Sequence, residues 1–306
     1  MDNLTIFTEF SLMNISPSQK LQVLQSVIFL MIYLGTLTNL VTVTIIITDP
    51  HLHSPVYFFI SNLSLIDIGC ISVSVPKMIT NSLTGSKLIS LPGCAAQIFL
   101  FIFFGATEIA FLVVVSYDHY VAICYPLHYG ITITPGFCTQ AAGGSWVSGL
   151  IHSAIHTGIM FRRPFIEANV IHQYFCDIHQ ILRISSLDVH FSESIALVLS
   201  ACIVFVCSAF LFKSYTDIFS MVLSMHSLEA LNKAHSCLFA ISGLIVSLGP
   251  SADKASLRYL LMAMFYSMVP PFINLTICSL HNREISSALS RMFNRYFEIG
   301  NRVFLD

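Results

Sequence analysis

The chain has 306 residues, of which 55% are hydrophobic and only 10% charged. A soluble domain carries about 25% charged residues to cover its surface, so a water-soluble fold is excluded. A net charge of −2 without any basic stripe leaves no footprint for nucleic acid. No HExxH, GxSxG or phosphate-loop pattern occurs, so no enzymatic activity is expected.

Residues 1–22 form a polar head. Asn3-Leu4-Thr5 is a glycosylation sequon, which places the head outside if Asn3 is used; Asn14-Ile15-Ser16 also fits, though Pro17 follows it. No basic start precedes an apolar core there, so the first helix is expected to act as the insertion signal. Apolar runs follow at 23–47, 56–79, 94–118, 139–160, 193–216, 235–249 and 257–280. A membrane span takes about 20 residues. With no water in the hydrocarbon, each span must satisfy its own backbone, which makes these runs helices. The expected fold is an all-α membrane protein, a bundle of seven transmembrane helices in one domain over residues 1–306. Its N-terminus lies outside and its tail, 281–306, is cytoplasmic.

The basic residues do not favour that orientation. Lys20, Lys77, Lys87, Arg162, Arg163, Arg183, Lys254 and Arg258 fall in outer segments; Lys213, Lys233, Arg283, Arg291, Arg295 and Arg302 fall in inner ones. The sixth run is short, about 22 Å at 1.5 Å per residue, against a hydrocarbon slab of about 30 Å. The tail from Arg283 to Arg302 is mildly basic and amphipathic, suited to lying on a lipid surface.

Asp67 and Glu108 stand mid-span without an adjacent charge. A charge there costs at least about 2.5–3.5 kcal/mol, so each should face the bundle interior and a partner. His152 and His156 are four apart and share a helix face. The pair could hold a metal ion, and His172, His179 and His190 beside Cys176 could form a Cu or Zn site; the preferred reading of all five is interfacial polar residues, with no metal assigned. Seven cysteines, at 70, 124, 138, 202, 207, 237 and 278, are read as small packing residues.

The third run ends in Ser116-Tyr117-Asp118-His119-Tyr120-Val121-Ala122-Ile123-Cys124-Tyr125-Pro126-Leu127-His128-Tyr129. This string resembles the MAYDRYVAICxPLHY motif of the olfactory receptors, a branch of the rhodopsin-like seven-helix receptors. The resemblance extends from Phe10 to about Met292. His53-Ser54-Pro55-Val56-Tyr57-Phe58-Phe59 opens the second run, Trp146 stands in the fourth, Ser214-Tyr215 closes the fifth and Lys233-Ala234-His235-Ser236 opens the sixth. Pro270-Pro271-Phe272-Ile273-Asn274-Leu275-Thr276-Ile277-Cys278 matches the end of the seventh, where the family reads NPxIY.

The resemblance implies a multi-pass plasma-membrane odorant receptor that binds a small volatile ligand and signals through a stimulatory heterotrimeric G protein. It implies a disulfide between Cys94 and Cys176, which an oxidising exterior also favours. The family's second pair of loop cysteines reads Ile166 and Ser186 here. It places Asp67 and Glu108 in one internal pocket with Asn39 and Asn274. That set suits Na⁺, or else two protonated acids hydrogen-bonded between helices; no other cofactor is expected. The odorant pocket it implies is lined by Phe101, Phe104, Gly105, Thr107, Ile109, Ser200, Cys202, Ser242, Ile245 and Tyr259. The G protein switch falls on Asp118, His119 and Tyr120. Three departures cluster at the inner end: His119 for arginine, Leu275 for proline and Cys278 for tyrosine. They motivate an alternative, a receptor-shaped chain with impaired coupling. A transporter would want inverted repeats or broken helices, and the sequence has neither.

Overall fold

Two helix starts are set by one piece of local chemistry. Ser90 and Thr134 stand in extended conformation, and each side chain accepts the backbone N–H three residues on, from Gly93 and Phe137, at 3.2 Å. A proline in the first turn follows each cap, where its missing N–H costs nothing. The computed structural model describes residues 9–12, 26–27, 30–31, 33–84, 88–162, 170–171, 175–176, 178–225, 287 and 291. Its long helices are α1 (Leu37–Thr48), α2 (Pro55–Thr84), α3 (Leu91–Cys124), α4 (Pro135–Met160) and α5 (Leu187–Met225).

The spans read at 56–79, 94–118, 139–160 and 193–216 each lie within one of these helices. The run at 23–47 is described only in part, and those at 235–249 and 257–280 lie outside the described residues. The helices α3 and α5 exceed their hydropathy limits at both ends. Hydropathy marks where hydrocarbon begins, whereas backbone hydrogen bonding continues until a turn stops it. Among the described residues, α2, α3 and α5 carry stretches long and apolar enough to cross a membrane. In α4, Gly143, Gly144, Ser145, Ser148 and Gly149 dilute the apolar character.

Those small residues are what α4 needs for its position against α3. Ser145, Gly149 and Ser153 are buried along one face. A Cβ on Gly149 would lie 2.1 Å from Thr107 Oγ1 and 2.9 Å from the carbonyl oxygen of Phe103. Small residues permit this approach where no hydrophobic force draws helices together. Trp146 lies among Phe103, Phe104 and Phe111, with ring centroids 5.6, 6.4 and 6.1 Å away, and its Nε1–H donates to Asn62 Oδ1 on α2 at 3.1 Å. Phe104 also fills the space beside Gly69 of α2. The helix α3 thus packs against α2, α4 and α5, and α4 also meets α2 and α5.

The helical bundle carries one element that the sequence did not predict. A small sheet caps one end of the bundle, in the order β2 (Leu88–Ser90), β1 (Glu9–Leu12), β3 (Val170–Ile171). Strand β1 pairs antiparallel with β2, Phe10 opposite Ile89, and parallel with β3, Leu12 opposite Ile171. Phe10 and Leu12 are buried against Ile98, Ile102, Met160 and Ile181. Strands of two to four residues are too short for an alternation to register in sequence, and the pairing is long-range.

The Gly149 contact yields the first prediction. Gly149→Ala forces α3 and α4 apart, because a backbone carbonyl cannot swing aside, and should cost about 1–3 kcal/mol as overpacking. Gly143→Ala, where nothing among the described residues lies within 4 Å of the new Cβ, should be neutral. Thermal unfolding of the purified protein checks this, and equal melting temperatures for the two variants would contradict it.

Candidate functional site

The residues singled out from sequence fall along α3 and its neighbours in three groups. At the sheet end, Cys94 and Cys176 form a disulfide with Cα atoms 5.6 Å apart. Gln97, buried in the second turn of α3, accepts the Cys176 N–H at 3.1 Å and donates to the Val73 carbonyl of α2 at 3.3 Å. The loop, α3 and α2 are therefore tied by one covalent and two polar links. Phe101 packs against Phe175 beside the disulfide, ring centroids 6.1 Å apart.

The residues named for an odorant pocket point in different directions. Phe104 and Thr107 turn toward α2 and α4, and the Thr107 hydroxyl donates to the Phe103 carbonyl at 2.7 Å. Thr107 is fully buried. Among the described residues, nothing lies within 4 Å of the Cβ position of Gly105. Ile109 is half-buried, Ser200 half-buried and Cys202 exposed. Ser242, Ile245 and Tyr259 lie outside the described residues, as do Asn3 and Asn274, the short sixth run, Leu275 and Cys278.

In the middle of the bundle, Asn39 and Asp67 are buried. Oδ1 of each has no hydrogen-bond partner among the described residues. Glu108 lies within electrostatic reach of Asp67. Buried polar atoms are normally paired, so orphaned oxygens of this kind ask for an explanation.

At the far end of α3, Asp118 is 1% exposed and accepts the Tyr129 hydroxyl at 2.9 Å. Tyr129 sits on a short helix, Tyr129–Thr132, that follows the Pro126–His128 turn. Burial and the Asp118 carboxylate push its phenol above the ordinary range, so it stays a donor. Tyr120 packs with Leu211, Tyr215 and Ile218 of α5, and its ring lies 5.7 Å from Tyr125. His119 is half-buried beside it. Tyr129 belonged to the string that carried the resemblance, but no role followed from its position alone.

Two pairings were not anticipated. His156 Nδ1 meets Glu193 Oε1 between α4 and α5, both side chains buried, and His156 Nε2 lies 2.9 Å from Ser200 Oγ. Glu193 read as the mere edge of a span; its signal was a carboxylate inside an apolar helix. Asp49, at the end of α1, accepts Arg291 Nη2 at 2.7 Å and Nε at 3.2 Å. That contact joins the α1–α2 connection to the tail. The Arg291 hydrogen bond, then the His51 N–H, hold the Asp49 carboxyl below its ordinary value of 3.8.

The sequence matches the family described as 7 transmembrane receptor (rhodopsin family) over residues 38–279. It is 45% identical to olfactory receptor 14I1 of Homo sapiens, over 97% of this chain and 99% of that one. It is 42% identical to olfactory receptor 14C36 of Homo sapiens, over 98% and 100%. It is 38% identical to olfactory receptor 5B21 of Mus musculus, over 97% and 96%.

The Asp49 pair gives a pH dependence of definite sign. A folded carboxyl value lowered below the unfolded one stabilises fully above the unfolded value, and that stability is lost as pH falls through the lowered one. Asp49→Asn should therefore be less stable than the native chain at neutral pH. The difference should vanish as pH falls through and below 3.8. Thermal unfolding at several pH values reads it; a gap that persists at the acid end would contradict the assignment.

Proposed function

The chain belongs to the olfactory receptors of the rhodopsin-like seven-transmembrane family, and from that premise we propose that it binds a small volatile odorant inside the bundle and couples to a stimulatory heterotrimeric G protein. Members of this family are multi-pass plasma-membrane receptors and not enzymes. One observation carries the reading. The single helix α3 runs from the disulfide-tied sheet end to the Asp118–Tyr129 contact. A ligand lodged beside it near the sheet end can therefore bias the far end through one rigid element.

The orientation follows from the same end. Strand β1, of the N-terminal segment, lies in the sheet beside the Cys94–Cys176 bond, and disulfides persist in oxidising compartments. This supports an outer N-terminus more strongly than the loop charges oppose it. On that topology the ligand enters at the sheet end, between α3, α5 and the sixth span. Among the described residues, Phe101, Gly105 and Ile109 are proposed to line it, a set that suits an apolar volatile ligand; Ser200 is proposed with them, although its hydroxyl is held at the α4–α5 seam by His156 and the Ala196 carbonyl. Phe104 and Thr107 hold α3 against its neighbours. Ser242, Ile245, Tyr259 and Cys202 complete the proposed set.

The orphaned oxygens of Asn39 and Asp67, with Glu108 near, fit a hard monovalent cation, and Na⁺ is proposed there with Asn274 as a further donor. The ion would compensate the buried carboxylate charge; the residues hold it by oxygen atoms alone. At the switch, Asp118 and Tyr129 hold the resting contact while His119 takes the place of the family's arginine. Imidazole is shorter and carries fewer donors, so coupling is retained but weakened.

Two experiments test these readings. Cells bearing the receptor at the surface, screened with a volatile panel, should raise cAMP. His119→Arg should improve potency about tenfold, the worth of one charge-assisted hydrogen bond of about 1.5 kcal/mol. Silence from both chains at normal surface levels would overturn the coupling. For the ion, melting temperature should rise with NaCl over choline chloride and lose that dependence in Asp67→Asn; an unchanged sodium response in the variant would refute the site.

A further inference from the structure

We propose that the α4–α5 seam, at the end that carries the disulfide, holds an exchangeable first-row transition-metal ion between His152 and His156. The two imidazoles stand one helical turn apart on α4, with ring centroids 4.6 Å apart. Both aim at one point. His156 Nε2 lies 2.9 Å and His152 Nε2 3.5 Å from the same atom, Ser200 Oγ of α5. The hydroxyl proton of Ser200 has an acceptor in its own helix, the Ala196 carbonyl at 2.8 Å, which leaves the oxygen free to ligate.

The tautomer is set from behind. A carboxylate only accepts, so His156 Nδ1 carries the proton toward Glu193 Oε1 and Nε2 keeps its lone pair facing the point. A carboxylate behind the far nitrogen of a histidine is how metal-binding imidazoles are oriented and made more basic. An independent observation points the same way. Glu193 is 0% exposed, and its Oε2 has no hydrogen-bond partner among the described residues. A buried carboxylate satisfied at one oxygen only is costly, and a cation bound to the opposite nitrogen of His156 offsets that charge.

The ion class follows from the donors. Two imidazole nitrogens and a hydroxyl suit Cu²⁺ or Zn²⁺ and not Mg²⁺ or Ca²⁺. Among the described residues no three His, Cys, Asp or Glu side chains form a metal-holding group, so Glu193 orients and does not ligate. With only two nitrogens from the protein, coordination positions stay open and the ion exchanges. His152 is half-buried and gives the entry side.

The test uses the full receptor in detergent micelles. Thermal unfolding is followed with CuCl₂, ZnCl₂ or MgCl₂, since an ion that binds only the folded state raises the melting temperature. Cu²⁺ and Zn²⁺ should raise it and Mg²⁺ should not. His152→Gln, which leaves the Glu193–His156–Ser200 chain intact, should abolish the rise; His190→Gln, at an exposed position near the start of α5, should keep it. A rise equal in the native chain and His152→Gln, or no rise with either ion, would leave a hydrogen-bonded packing network only and overturn the proposal. Should His152→Gln fail to fold, the Cu²⁺ resonance spectrum of the native receptor decides. Coupling to two imidazole nitrogens supports the site, and its absence refutes it.

Discussion

The close approach of α3 to α4 at Gly149 is the constraint on which the other contacts depend. Because that position has no side chain, the Phe103 carbonyl and Thr107 hydroxyl of α3 come into contact with the α4 backbone. The same closeness lets Trp146 reach past α3 to Asn62 of α2, so three helices are held by one indole. With α3 fixed centrally, its two ends become the places where a loop can be pinned: Cys176 and Gln97 at one, Tyr129 and Asp118 at the other. Phe104 and Thr107 belong to this framework.

Much of the helical organisation was legible because lipid enforces a simple rule: an apolar run of sufficient length must close its own backbone hydrogen bonds. The ends were not. Hydropathy stops α5 at 193 and 216, yet hydrogen bonding carries it from Leu187 to Met225. Strand β1 escaped because four residues carry no usable period. The family string made Asp118 and His119 visible, but the partner of Asp118 is Tyr129 on the short helix that follows, and only geometry selects it.

The polar pairs inside the bundle were the least legible part. Glu193 and His156 are 37 residues apart, on different helices, and neither has a local motif. What sequence offers is the cost alone: an ionisable group in hydrocarbon must be paired. The identity of the partner is a packing fact. Asp49 and Arg291 show the same limit over 242 residues. In each case the anomaly was visible in one dimension and its resolution only in three.

In the proposed mechanism α3 carries a ligand signal from the disulfide-tied sheet end to the Asp118–Tyr129 contact. Hydrogen–deuterium exchange over residues 126–134 of the intact receptor, with and without an odorant that raises cAMP, reads that contact most directly. Release of Tyr129 should speed exchange across Tyr129–Thr132 when the odorant binds, while the Trp146 region stays protected. A cAMP response with unchanged exchange at Tyr129–Thr132 would contradict it.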